Sequence, residues 1–434
     1  MSTIPSNCTV AVVGGGLAGL TAVYHLQERG MNDVLLFEAL QRPGGRVHTL
    51  HTPSGQHYEV GALSFTDVEK TLWSFVHRFS LEYIEHSPID KQFYFRGIKG
   101  HFSEKGSFLS PSEKEISLNH LLSHYLPLID KDKEMSFAES LIQAGASPTA
   151  VDWLNKNTLI GLCGEGLGSV STKAALQFCR QYDGATHAYS FKGGNDSLPK
   201  AFAKAISNQI FYDCAIEKIE RKASSVLLTT KKGEQISAKK VICTVPLHAL
   251  SAIHFSPPLS LEKQQAISAI PYTSFTSVML EGLPQSFSKE VQGGCFAITD
   301  TPSGWFRNQT LFQNHSDENT VVTFTATGEQ ARKFTNLTEP ERRKEILQGL
   351  CRFNSNFDEQ KVRTRLFSWD QEPWIQGAYS YFPPNTFPLQ SVLAEPEGEV
   401  HFAGEHTSDK FASMNGAIES GIRAAEEAFS SINH

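Results

Sequence analysis

Three glycines, Gly14, Gly16 and Gly19, stand in the stretch VAVVGGGLAGLTAVYHLQERG with the spacing Gly-x-Gly-x-x-Gly. That spacing suits a backbone that must wrap a phosphate. The first glycine permits a tight turn, the second lets main chain approach a pyrophosphate, and the third lets the following helix lie close to the preceding strand. Leu17 and Ala18 open that helix, whose N-terminal N–H groups and partial positive charge favour an anion. The run Thr9 to Val13 reads as a strand buried on both faces, the helix runs to Gly30 as its C-terminal cap, and Val34 to Phe37 reads as a second buried strand. Glu38 follows, nineteen positions after Gly19, where a carboxylate accepts hydrogen bonds from an adenosine ribose. The next residues, EALQRPGGR, place Arg42 and Arg46 on either side of Gly44 and Gly45. The glycine step lets the chain pass close to a dinucleotide, and planar guanidinium groups suit its phosphates.

Glu38, Arg42, Gly44, Gly45 and Arg46 resemble the second fingerprint of the FAD-dependent amine oxidoreductases, the group that includes monoamine oxidases, polyamine oxidases and L-amino acid oxidases. The resemblance continues in family order to the other end of the chain. Tyr58 to Phe65 looks like the segment that brings backbone to the flavin, here through Gly61 and Ala62, and Tyr189 to Ile206 resembles the central Gly-Gly segment. Ala215 to Pro246 is similar to the strands that return to the FAD domain, with Ile216 at the position whose backbone holds the adenine. Trp369 to Pro384 resembles the segment over the flavin face, and Val400 to Ala428 the closing motif, with Gly404, Glu405, Met414 and Ala417 at cofactor positions. In the family the residue matching Glu405 bonds the ribityl chain.

The resemblance implies an α/β fold: a Rossmann-like, discontinuous FAD-binding domain with an α+β substrate-binding domain of the amine oxidase type. The FAD-binding pieces are expected at 1–85, 205–285 and 385–434, and the substrate-binding pieces at 86–204 and 286–384.

Departures from the family pattern bear on the substrate and on the fate of the electrons. In many members a lysine bonds through water to flavin N5 and assists the reaction of reduced flavin with oxygen; in IPYTSFTSVML that position is Ser277. A neutral hydroxyl brings no positive charge there, which predicts slow use of oxygen, with another electron acceptor in its place. Amino acid oxidases of the family carry Gly-Ala-Met-Arg, whose arginine holds the substrate carboxylate; this chain reads Gly61, Ala62, Leu63, Ser64. The expected substrate is therefore an amine without a carboxylate, unless Arg307 or another arginine substitutes. Monoamine oxidases anchor FAD through a cysteine that aligns with Ala378, so FAD is expected to be held non-covalently here. Their aromatic pair aligns with Tyr379 and Ser413, which leaves one wall missing, although Tyr379 also reads as an ordinary buried tyrosine. Tyr379, Ser413, Ser277 and Ser64 are the residues expected around the reacting centre.

The elements that must position these residues show in the patterning. KQFYFRGIKGHF alternates as a hairpin, and Asn119 to Phe178 is mostly helical in period, with Gly161, Gly164, Gly166 and Gly168 marking a loop. Val400 to Ala403 reads as a strand, followed by a Gly-Glu turn and a helix whose small residues, Gly416, Ala417, Gly421, Ala424 and Ala425, permit close approach to a flat ligand or a sheet.

Composition bounds the rest. A chain of 434 residues allows two or three domains, and a formal net charge of −7 gives no basic footprint for nucleic acid. His48, His51 and His57 lack a cysteine or acid at ligand spacing, so no metal site is expected. Seven scattered cysteines without Cys-x-x-Cys suggest reduced thiols and a cytoplasmic protein. No lysine or arginine precedes the first apolar stretch, and its glycines would break a membrane helix, so neither a signal peptide nor a membrane partner is expected. The oligomeric state stays open, a homodimer included. Neither Gly-x-Ser-x-Gly nor a Walker loop is present, which removes the main support for hydrolase and phosphoryl-transfer chemistry. The expected function is FAD-dependent oxidation of a small-molecule amine to an imine, hydrolysed afterwards, with O2 or another acceptor reoxidising the flavin. The alternatives are an amino acid substrate, desaturation of a carbon chain, or a flavin bound without catalysis.

Overall fold

Val10 to Val13 and Val34 to Phe37 are buried throughout, as expected of strands in a parallel sheet covered on both faces. In the computed structural model, which describes residues 4–52, 55–86, 91–157, 164–284, 286–287, 294–309 and 319–433, they lie side by side in an eight-stranded sheet. Asn7–Val13 pairs in parallel with Val34–Phe37 on one side and with Gln235–Cys243 on the other. Val400–Phe402 runs parallel to the end of Gln235–Cys243, and an antiparallel extension of Val226–Thr230 and Ile216–Arg221 completes that flank. Strand order reverses around Asn7–Val13, which opens a crevice at the carboxyl ends of the strands. The helices Leu17–Glu28 and Met414–Asn433 bury Leu20, Val23, Leu26, Ile418 and Ala424 against Val10 and Val12.

A second sheet of seven strands contains Arg363–Ser368, Phe275–Pro284, Asn319–Thr327, Ser303–Asn308, Gly294–Asp300 and the hairpin Gln92–Phe95 with Ile98–His101. Alternation splits its side chains between two environments. Val278, Phe306 and Phe324 pack with Phe334, Ile346 and Leu350 of the helices Gly328–Asn336 and Glu339–Cys351. Residues of opposite parity, including Phe275, Trp305 and Arg307, turn toward the site. The helical region resolves into Leu121–Tyr125, Phe137–Gln143, Pro148–Asn157 and Thr172–Gln181, and Gly161 lies outside the described residues.

Sheet membership differs from the expected division at two places. Phe275–Pro284 pairs within the second sheet, although 275–284 fall in an expected FAD piece. Leu198 and Phe202 of the helix Ser197–Ala205 join the core of the first sheet, although they fall in an expected substrate piece. Both segments adjoin a crossing between the sheets, where local pattern carries no sign of which core a residue joins. Among the described residues no helix is long and apolar enough to cross a membrane.

Candidate functional site

The carboxyl ends of the parallel strands converge on one cavity of about 1050 Å³, lined by Val13, Phe37, Thr244 and Gly404 where those strands stop. Gly14, Gly16, Leu17 and Ala18 form its floor at the start of the first helix. A side chain at Gly16 would meet nothing within 4 Å, so the backbone there is open to a ligand. Gly19 is not on the wall. A Cβ there would come within 1.9 Å of Gly14 O, so this glycine serves the contact between helix and turn. Glu38 lines the cavity, with Gly15 N and Leu40 N donating to its carboxylate at 2.5 and 2.7 Å. Burial outweighs those donors and raises its pKa. Ile216 and Ala215 line the far end, where Lys231 Nζ stands 4.5 Å above the ring of Trp374, a pairing that local sequence did not suggest.

The second turn lies directly on the first. Gly44 N donates to Gly15 O at 2.8 Å, and both Gly44 and Gly45 have positive φ, the conformation that favours glycine. The two arginines divide. Arg42 does not reach the cavity: its Nη1 donates to Gly45 O at 2.9 Å and braces its own turn. Arg46 lines the cavity, donates to Glu405 Oε1 at 2.6 Å and to Ala378 O at 3.0 Å, and lies 4.8 Å over the ring of Tyr272. Glu405 also accepts from Ser380 N, Ser380 Oγ and Ala412 N. Burial alone would raise the Glu405 carboxyl, yet Arg46, His406 and these donors hold it below its ordinary range. Behind this pair, the Tyr272 hydroxyl meets Leu247 N and His406 Nδ1, at 3.3 and 3.0 Å. Burial pushes the His406 ring down to about 4, so it is neutral at physiological pH. Tyr272 and His406 were not singled out from sequence, because they act through Arg46 and not at the cavity wall.

The expected reacting centre is assembled in part. Gly61, Ala62, Ser64, Tyr379, Ser413, Met414 and Ala417 all line the same cavity. Ser413 does more than vacate an aromatic position: its Oγ accepts from Gly416 N at 2.9 Å and donates to Lys410 O at 2.6 Å, capping the closing helix. Ser277 is not on the wall. It is 1 % exposed on the same sheet face as Phe275, and its hydroxyl has no hydrogen-bond partner among the described residues. Phe178, Tyr182, Phe275, Ile298, Trp305 and Trp369 complete this end. Of these, Trp369 opens the segment that the resemblance placed over the flavin face, and Trp305 shows only in the alternation of Ser303, Trp305 and Arg307 in SGWFRN.

A cavity lined by the glycine turn Gly14–Ala18 and by the aromatic side chains of Phe275, Trp305, Trp369 and Tyr379 fits a flavin. The comparisons with known proteins agree. A family model for flavin containing amine oxidoreductases matches residues 17–428. An L-amino-acid oxidase of Pseudechis australis is 26% identical over 96% of this chain and 86% of its own. Flavin-containing amine oxidase B of Cavia porcellus is 25% identical over 98% and 87%. Among solved structures, putrescine oxidase bound to putrescine superposes with a TM-score of 0.82 at 19% identity, over 98% of this chain and 99% of that one. Cyclohexylamine oxidase from Brevibacterium oxydans IH-35A gives 0.83 at 20% identity, over 99% and 100%. With the two glycine turns, the arginine–glutamate pair and the closing helix gathered on one cavity, and the family match spanning both sheets, this chain belongs to the flavin containing amine oxidoreductases.

Proposed function

We propose that the protein binds FAD non-covalently and oxidises an amine to an imine, which water then hydrolyses to an aldehyde or ketone. One observation carries this reading: a single cavity joins the phosphate-type turn at Gly14–Ala18 to the aromatic walls around Tyr379. When bound, FAD supplies the two-electron acceptor that receives the equivalent of a hydride from the amine's α-carbon. The chain's own residues bind and orient. The backbone of Gly16 and Gly45 would admit the pyrophosphate, Glu38 would hold the ribose and Ile216 the adenine, and Arg46 with Glu405 would hold the middle of the cofactor. Trp305, Trp369, Phe275 and Tyr379 exclude water from the reacting end and favour an uncharged amine.

We further propose a nucleotide-binding part built on the first sheet and a substrate-binding part built on the second, with their boundaries moved as sheet membership directs. Free cysteines, of which Cys8, Cys214 and Cys243 are buried, support a reducing compartment such as the cytoplasm. Ala378 offers no thiol at the anchoring position, so acid precipitation should leave all flavin in the supernatant. The buried, neutral Ser277 supports slow reaction of the reduced protein with oxygen.

The test is the visible spectrum of the yellow protein, held without oxygen, as monoamines, polyamines and amino acids are added singly. Bleaching of the flavin band by one class supports the reading and names the class; a spectrum unmoved by all of them overturns it. Admitting air afterwards tests Ser277. Reoxidation should be slow in the native protein and faster in Ser277→Lys, and rapid native reoxidation would sink that part.

A further inference from the structure

We propose that Glu69, a buried carboxyl behind the cavity wall, is a positioning residue for the flavin: acting through the first turn of the closing helix, it lowers the reduction potential of the cofactor when it carries charge. The inference rests on the flavin binding read above and adds to it a control on the electrons. Glu69 is 6 % exposed and stands directly before the helix Lys70–Arg78. Its carboxylate accepts from Thr66 N at 2.5 Å and from Thr66 Oγ1 at 3.1 Å, and also from Asn415 N in the first turn of Met414–Asn433. The contact is returned: Asn415 Oδ1 accepts at 2.9 Å from Leu72 N, in the first turn of Lys70–Arg78. Two helices therefore meet at their N-termini, each satisfying an N–H group of the other that has no partner within its own helix.

The same turn of the closing helix is part of the cavity. Ser413, Met414 and Ala417 line it, whereas Asn415 is not on the wall and, 1 % exposed, turns to Glu69 and Leu72. A flavin that accepts electrons gains negative charge, and the partial positive charge of a helix N-terminus favours it. A charged Glu69 at that N-terminus cancels part of the favourable field, and a neutral Glu69 leaves it whole.

Charged and titratable groups reach Glu69 from the elements packed around it. Lys410, in the turn ahead of the closing helix, favours the charged form, and its Nζ also donates to Glu419 Oε1 at 2.6 Å. Glu419 accepts as well from Thr71 Oγ1 and Asn415 Nδ2, at 2.7 and 2.9 Å. Tyr182, at the end of Thr172–Gln181, lines the cavity and senses Glu69; burial and that carboxyl both raise its phenol, which stays protonated. Of the neighbours in sequence, Asp67 is engaged by Thr186 and Lys70 is exposed. Burial outweighs Lys410 and the N–H and O–H donors and raises the Glu69 carboxyl to about 7, so its charge changes near neutral pH. Coupling between two sites is reciprocal, so negative charge on the flavin in turn draws a proton from solvent onto Glu69.

The measurement is the reduction potential of the flavin-loaded protein, titrated with dithionite against a reference dye in the absence of oxygen, from about pH 5.5 to about pH 8.5. No substrate enters it. Glu69→Gln keeps the size of the side chain and an acceptor for Thr66 and Asn415, but does not ionise. Native protein and variant should agree at the acid end. At the alkaline end the native potential should lie lower, so that at a fixed dye potential its ratio of reduced to oxidised flavin is smaller by about threefold or more. A merely structural role for Glu69 gives the same difference at every pH, and that result overturns the inference. Thr66→Val tests it without altering Glu69: the variant removes one donor outside the cavity wall, so the bend in the native curve should move to higher pH while the acid limit stays. A bend that does not move also overturns it. Protein that takes up no flavin removes this inference together with the reading beneath it. A flavin that no amine bleaches, but whose potential follows Glu69, removes amine oxidation alone.

Discussion

Glu59 shows what a single buried carboxyl does to the pH response of the protein. Thr49 Oγ1 donates to both of its oxygens at 3.1 and 3.0 Å and Asn195 N donates at 2.8 Å, yet burial dominates and raises its pKa from 4.5 to about 8. The unfolded chain ionises this group near 4.5, so between that pH and about 8 the folded state holds a proton that the unfolded state has lost. Its contribution to stability is complete below 4.5 and is lost as the pH rises toward 8. Glu59→Gln removes the titration. In urea unfolding, the native protein should match the variant near pH 5 and fall behind it by pH 8; parallel pH profiles would refute the assignment. Glu59 was not legible as a special residue, because nothing in YEVGA announces that the fold leaves it without water. The glycines were legible, because backbone conformation and closeness of approach limit the residue types that fit. Arg42 and Arg46 looked equivalent in sequence and part company only in space, one bracing its turn and the other reaching Glu405.

The same limit on closeness acts between elements where the first and closing helices cross. A Cβ on Gly421 would stand 2.2 Å from Ala18 O, so the helices Leu17–Glu28 and Met414–Asn433 touch through backbone. Leu17 and Ala18 line the cavity from one helix, Met414 and Ala417 from the other, so their spacing sets the width of the cofactor site. Gly421→Val must force the helices apart, at a cost of about 1–3 kcal/mol for an overpacked contact. The variant should unfold at lower urea and be purified with less flavin, and full flavin content with an unchanged midpoint would show that the crossing yields freely. The small-residue run that marks this helix was readable because it recurs within one element. The assignment of Phe275–Pro284 to the second sheet was not, because its partners Arg363–Ser368 and Asn319–Thr327 lie far along the chain and register is a long-range property.

At the scale of the whole molecule, the cavity is the place where residues of the two sheets share one wall. Val13, Phe37 and Thr244 end strands of the first sheet at its wall, while Phe275, Ile298, Trp305 and Arg307 come from the second. A bound FAD of the proposed orientation touches both, so it should stabilise them together and not one alone. Ligand that binds only the folded state adds about 4 kcal/mol when its free concentration is a thousandfold above the dissociation constant. Because the proposed attachment is non-covalent, the comparison can be made on one preparation, stripped of flavin and then reloaded. Calorimetry of the reloaded protein should show one transition at higher temperature. The stripped protein should unfold earlier, and the part built on the first sheet should lose most, since it provides the Gly14–Ala18 turn, Glu38 and the Arg46–Glu405 pair. Identical transitions with and without flavin would mean that the joint cavity does not couple the sheets. In that case the contact of Arg307 with Leu63 O would be a property of the folded chain alone, set before any cofactor arrives.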